Sequence, residues 1–236
     1  MDPQARTDGL DSRFRVYCER YSLEPTENTV AGVNLINHPK VYRAEGASTT
    51  ATLLDMGCGT GVLGVLAALR GAKRVTLLAA NPFAVDTALA NVELHSLGAR
   101  CRVLHSDLFG AVNRERFDLV GFNMPFLYGE GDSLEFPVSD EQRAALPTQE
   151  SFMDVGYSLI GRFMGGLKAH LKGDGRCLCS FASFGNIEAL DRILDEEGLQ
   201  RQTVARRAEP EYGLEYLAFE IRPLCCPVPH SRRRKA

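Results

Sequence analysis

Four short stretches carry residue types that can hold a polar ligand or aim a reacting atom: Asp55-Met-Gly57-Cys-Gly59-Thr-Gly61, the pair Asn81-Pro82 within A-N-P-F-A-V, Asp107-Leu108 within S-D-L-F, and Asn123-Met-Pro125-Phe126. Alternate glycines let a chain turn sharply and let a ligand approach the backbone without interference from a Cβ, so the first stretch reads as a ligand platform. Taken alone, G-x-G-x-G also suits a plain tight turn. Asp107 can accept a ligand hydrogen or cap a turn. In the fourth stretch Pro125 fixes its own φ and holds the preceding residue extended, so N-M-P-F is a stiff corner presenting an amide. Its structural alternative has Asn123 capping a turn and Phe126 filling core.

The elements around these stretches place all four at equivalent points. From Ala51 onward T-L-L-D-M-G reads as a strand, G-V-L-G-V-L-A-A-L-R-G as a helix, R-V-T-L-L-A-A as a strand and P-F-A-V-D-T-A-L-A-N-V-E-L-H-S-L-G as a helix. C-R-V-L-H-S-D and F-D-L-V-G-F-N follow as short apolar strands. Continuous apolar strands separated by helices predict a parallel sheet covered on both faces. After a loop over 124–150 the pattern predicts a helix over 151–171, a strand over 176–183, and a helix over 186–197 with Gly198 past its end. Q-R-Q-T-V-A-R-R-A-E and Y-G-L-E-Y-L-A-F-E-I-R-P read as a closing antiparallel pair. The fold class is thus α/β, a doubly wound, mostly parallel sheet of seven strands.

The expected domains are an N-terminal arm or lid over 1–50, a catalytic domain over 51–223 and a flexible basic tail over 224–236. Within the arm a helix over 12–21 would group Phe14, Tyr17 and Tyr21, and Pro25 and Pro39 predict an irregular path after it. No apolar leader and no run of ~18 apolar residues occurs, which excludes a helical membrane span and points to the cytoplasm. The net charge of −3 and the lack of an internal basic stretch with interleaved aromatics argue against a nucleic-acid partner. Seven cysteines without C-x-x-C pairing, and five scattered histidines, give neither a disulfide framework nor a metal site. Nothing in the sequence sets the oligomeric state.

Four pieces in order at successive strand ends make the chain from about Thr52 to Pro223 resemble the class I S-adenosyl-L-methionine (SAM) dependent methyltransferases. The resemblance implies a Rossmann-like sheet and SAM as cofactor, held by Asp55, Gly57, Gly59, Gly61, Asn81, Asp107, Leu108 and Asn123. It implies that Asp107 accepts the adenine amino group beside the Leu108 N–H. It also exposes a departure: the acid that usually closes the second strand and holds the ribose hydroxyls is here Ala79, so Asn81 or the arm is expected to substitute.

The corner N-M-P-F is similar to the N-P-P-[YF] corner of enzymes that methylate base amines and glutamine amides, which makes Asn123, Pro125 and Phe126 the implied catalytic residues. Two oxygen acceptors, the Asn123 amide and the next backbone carbonyl, would orient an N–H2 group so that its lone pair faces the electrophile, with Phe126 packed on it. Met124 in place of the first proline is expected to relax the corner slightly. With only the arm and one loop available for substrate, the expectation is N-methyl transfer to a small-molecule amine or amide, with Tyr17, Tyr21, Phe126 and Tyr128 closing the site. One alternative is cyclisation of SAM itself to azetidine-2-carboxylate and methylthioadenosine, which the resemblance to methyltransferase-like synthases implies. A non-catalytic SAM-binding scaffold is the other.

Overall fold

A computed structural model describes residues 26–30, 33–37, 52–129, 153–209 and 214–224. The helix expected over 12–21, the loop expected over 124–150 from residue 130 onward and the expected basic tail beyond Leu224 lie outside the described residues. Between Pro25 and Pro39, where an irregular path is expected, strands β1 (Thr26–Val30) and β2 (Val33–Asn37) pair antiparallel as a separate two-stranded sheet.

The main sheet is built from β3 (Thr52–Met56), β4 (Arg74–Ala79), β5 (Cys101–His105), β6 (Phe117–Asn123), β7 (Leu171–Ala182), β8 (Leu199–Glu209) and β9 (Leu214–Pro223) in the order β5-β4-β3-β6-β7-β9-β8. The strands β3 to β7 pair parallel, and β9 runs antiparallel to both β7 and β8. This is the seven-stranded α/β sheet expected from the sequence, down to its closing antiparallel pair. The helices are α1 (Val62–Leu69), α2 (Pro82–Leu94), α3 (Ser158–His170) and α4 (Ile187–Glu196).

Adjacent residues of one strand bury on opposite faces, which is why these strands read as unbroken apolar runs. Leu53 and Leu77 join the core under α1 and α2, whereas Leu54 and Leu78 join the core with α3. Helix α1 lies close on its strands: a Cβ at Gly64 would come within 2.6 Å of the Leu77 side chain. At the amino edge of the sheet the Asp118 carboxylate accepts from the Thr52 N–H at 2.9 Å and from Lys172 at 2.8 Å. That ties three strands together at the end remote from the loops of interest.

The order of strands reverses between β3 and β6, and a crevice opens outside the carboxyl ends at such a point. The register puts the four sequence stretches there side by side, with Met56 opposite Leu78 and Phe122, Ala79 opposite His105, and Asn123 opposite Ser180.

Candidate active site

The glycine loop leaves β3 with Gly57, Gly59 and Gly61 at φ +60°, +56° and +78°, a left-handed region that L side chains rarely adopt. Backbone bonds fix its path, Cys58 N–H donating to the Leu78 carbonyl and Gly61 N–H to the Cys58 carbonyl, both at 2.8 Å. The Asn91 amide of α2 donates to the Thr60 carbonyl at 2.8 Å, tying the loop to the next βα unit. Asp55 is buried, and its carboxylate accepts the Gly64 N–H in the first turn of α1 at 3.0 Å. Burial pushes that carboxyl up to about 7, with the Gly64 bond opposing the rise.

Two features of the loop fit a bound polar group. A Cβ on Gly57 would stand 3.1 Å from the Phe122 ring, so only glycine keeps the backbone bare there. Thr60 is fully buried, yet its hydroxyl has no hydrogen-bond partner among the described residues. A buried hydroxyl left unmet costs free energy that a ligand group can recover.

At the end of β4, Ala79 is buried and presents no polar group. Asn81 caps α2, its Oδ1 accepting the Phe83 N–H at 2.9 Å ahead of Pro82 at the first helical position. One lone pair of the Asn81 oxygen is therefore engaged, and its free donors are the two hydrogens on Nδ2. Past β5 the residue that closes the turn is Ser106, a position the sequence reading passed over. Its hydroxyl donates to the Leu108 carbonyl at 2.7 Å and accepts the Ala111 N–H at 3.0 Å, holding Leu108 at φ +46°. The Asp107 carboxylate makes no cap; it is exposed and accepts from Arg162 of α3 at 2.5 Å.

The N-M-P-F corner stands beside this platform. Asn123 is half-buried, and its Oδ1 accepts a hydrogen bond from the Ser180 hydroxyl. The Met124 N–H donates to the Ser180 carbonyl at 3.2 Å. Met124 does not relax the corner as expected: it supplies the N–H that proline lacks, and this N–H pins the corner to β7. Pro125 and Phe126 are buried; the Phe126 ring lies in the core, edge-on to Phe181, and Tyr128 sits half-buried beyond it.

The next carbonyls are all tied. Tyr157 OH donates to the Phe126 carbonyl at 2.8 Å while accepting the Asn186 N–H at 2.7 Å. Asp154 N–H donates to the Leu127 carbonyl at 2.9 Å and Gly156 N–H to the Tyr128 carbonyl at 2.8 Å. The Asp154 carboxylate then accepts the Leu159 and Ile160 N–H groups at the start of α3, at 2.9 and 2.8 Å. Among the described residues the carbonyls of Met124 and Pro125 accept no hydrogen bond. Along 124–128 the carbonyls left untied among the described residues are therefore the two directly after Asn123, on residues that are themselves buried.

Comparison with known proteins fits this geometry. Residues 41–138 match the family model of the methyltransferase small domain. A putative protein N5-glutamine methyltransferase of Methanocaldococcus jannaschii is 27% identical over 163 residues, covering 62% of this chain and 74% of that protein. A release factor glutamine methyltransferase of Cereibacter sphaeroides is 30% identical over 195 residues, 81% of this chain, and the chain spans 64% of its length. Among solved structures, a T. thermophilus 16S rRNA N2 methyltransferase in complex with AdoMet and guanosine superposes with a TM-score of 0.56 at 19% identity, over 85% of this chain and 50% of that one. The likeness to that structure is one of fold.

These relatives overturn two expectations. The two curated relatives are named for a protein glutamine and for a release factor, and a ribosomal RNA large subunit methyltransferase G of Pseudomonas syringae, 29% identical over 63% of this chain and 43% of its own length, is named for a nucleic acid; none is named for a small molecule. No helix of the described residues is long and apolar enough to cross a membrane. No cluster of His, Cys, Asp and Glu among the described residues could hold a metal ion.

Proposed function

We propose, from the premise that the chain belongs to the class I SAM-dependent methyltransferase superfamily, that it methylates a nitrogen of a macromolecule and that the acceptor is the side-chain amide of a protein glutamine. The observation that carries this reading is the corner itself, where the Asn123 amide oxygen is followed by the untied Met124 carbonyl at the end of β6 while the carbonyls of Phe126, Leu127 and Tyr128 are all tied down.

The cofactor is S-adenosyl-L-methionine, which when bound supplies a methyl group made electrophilic by its sulfonium. The bare backbone of Gly57, Gly59 and Gly61, with Asp55 beneath it, would hold the methionine end. Asn81 would offer its Nδ2 hydrogens to the ribose in place of the acid that Ala79 lacks. Asp107 and the Leu108 N–H would take the adenine, with the Asn123 backbone closing the pocket from the β6 side.

An amide nitrogen is a poor nucleophile, and what the chain can do for it is orientation. The second lone pair of Asn123 Oδ1 and the Met124 carbonyl each accept one N–H hydrogen, which turns the nitrogen lone pair out of the plane of those bonds toward the cofactor. Pro125 holds Met124 extended, so the two acceptors keep their spacing. No side chain with a free base is needed at the corner, because the proton is lost after the nitrogen has become cationic. The glutamine amide is preferred over a base amine because two of the relatives are named for glutamine and the chain has a net charge of −3.

The test is incubation of the full chain with methyl-labelled SAM and, separately, a purified peptide release factor and ribosomal RNA. Label in the protein fraction, recovered as N5-methylglutamine after digestion, is the expected result. Label confined to RNA would replace the glutamine by an exocyclic base amine. Absence of label and of S-adenosylhomocysteine from both would sink the proposal.

A further inference from the structure

We infer that Ser180 is the positioning residue of the corner, acting through Asn123 and Met124; this rests on the reading of Asn123 as the group that orients the acceptor nitrogen. Ser180 holds both residues with different atoms. Its backbone carbonyl accepts the Met124 N–H at 3.2 Å, and its hydroxyl donates to Asn123 Oδ1. It can do so because β6 and β7 run parallel with Asn123 opposite Ser180.

The backbone contact exists only because residue 124 is not proline. A proline there would have no N–H, and the ladder between β6 and β7 would stop at Asn123. With methionine it runs one residue further, into the corner. The Met124 side chain is buried in the core as well, so the residue is fixed at both ends. Hydrogen bonding to β7 thus supplies the stiffness that a second proline would supply by covalent restriction.

The hydroxyl contact decides which end of the Asn123 amide faces which way. The terminal torsion of an asparagine is broad and two-fold, so an unheld carboxamide presents its oxygen and its NH2 in turn. A donor on Ser180 selects the oxygen on its side and uses one lone pair, leaving the other for the acceptor. Were the NH2 group turned toward the crevice, it would meet the N–H2 of the acceptor donor to donor. Serine is suited to this place: it is small enough for the half-buried end of a strand and carries one rotatable hydroxyl that reaches a single neighbour.

The test uses the full chain, saturating SAM and the acceptor identified above, with Ser180→Ala, Ser180→Thr and Asn123→Ala compared. Ser180→Ala is expected to lower kcat about tenfold with the KM for SAM and the Tm unchanged, and Ser180→Thr, which keeps the hydroxyl, is expected to restore it. In Asn123→Ala the further change at Ser180 should cost nothing, since the two act as one unit. Wild-type kcat in Ser180→Ala while Asn123→Ala is inactive would overturn the inference and leave the function standing; wild-type turnover in Asn123→Ala would overturn both. A second measurement needs no acceptor. In asparagine-labelled protein saturated with S-adenosylhomocysteine, Ser180→Ala should shift or broaden the Asn123 side-chain NH2 signals and spare those of Asn91; an unchanged Asn123 pair would refute the contact.

Discussion

On the β3–β4–β5 side of the carboxyl edge, the loop over 57–61 is shaped by its own glycines and braced by Asp55 on Gly64 and by Leu78 and Asn91 of the βα unit that follows it. On the β6–β7 side, the corner over 123–128 is held by Ser180, Tyr157 and Asp154, with the Ser180 contact spanning 57 residues of sequence and the Tyr157 contact 31. The first region is a bare backbone, suited to a ligand that many related chains share. The second is a tied backbone with two carbonyls left untied, suited to aiming one particular atom. On the proposed function, binding and orientation rest on separate parts of the fold, and variants should separate them.

The largest separation is expected from Asn123→Ala. Losing the oxygen that orients the acceptor should cut turnover about a hundredfold or more, while calorimetry with S-adenosylhomocysteine should show affinity within about threefold of wild type, as the glycine loop is untouched. A parallel collapse of affinity would mean that the two regions form one site.

The same division explains what could be read from the sequence. Gly57, Gly59 and Gly61 announce the cofactor loop because positive φ restricts residue choice locally, and the strand–helix alternation that frames it depends only on neighbours. The sheet, its parallel core and its antiparallel end were legible for that reason. Ser180 carries no such mark: a serine in a strand pattern becomes informative only once β6 and β7 are known to pair in register. Met124 read as a loosening because the sequence shows the missing ring and not the carbonyl that meets its N–H. The cap that Asn81 makes on α2 is also of the local kind, since its Oδ1 accepts the N–H only two residues on. Substrate size was the reading furthest off, since chain length constrains the number of domains and says little about what protrudes into a crevice.

Next in size is Tyr157→Phe. Tyr157 is 1% exposed, and its hydroxyl serves both the Phe126 carbonyl and the Asn186 N–H. Removing it takes away both bonds, one of them to the backbone of buried Phe126, at a cost of about 2 kcal/mol in denaturant unfolding. Turnover should fall more than cofactor affinity, because the loss is on the corner side. An equal effect on both would show that the tie supports the whole edge.

Asp55 tests the other region through pH. Its folded value, about 7, lies above the ordinary 3.8, so between those values the native chain holds a proton that the unfolded chain releases. The contribution of this group is fully present at low pH and is lost as pH rises toward and through 7. Unfolding free energy of the ligand-free protein should therefore decline from about pH 5 to 7, on the order of 1 kcal/mol per unit. Asp55→Asn, which can still accept the Gly64 N–H, should flatten that slope. A slope the same in both proteins would place the titration elsewhere.

The smallest effect, and the sharpest for the comparison, is expected at Asp107. Its ion pair with Arg162 is more than half exposed on both sides, so solvent screens it and its loss should change stability by less than about 1 kcal/mol. The turn does not need Asp107 either, because Ser106 makes the bonds that close it. A carboxylate that neither caps nor stabilises is free to act on a ligand. Asp107→Ala should therefore weaken S-adenosylhomocysteine binding about tenfold at unchanged Tm, and Arg162→Ala should leave binding within about threefold. If Arg162→Ala weakens binding as much as Asp107→Ala does, the guanidinium is what sets the carboxylate, and this side of the edge would depend on a residue from beyond β6 just as the corner does.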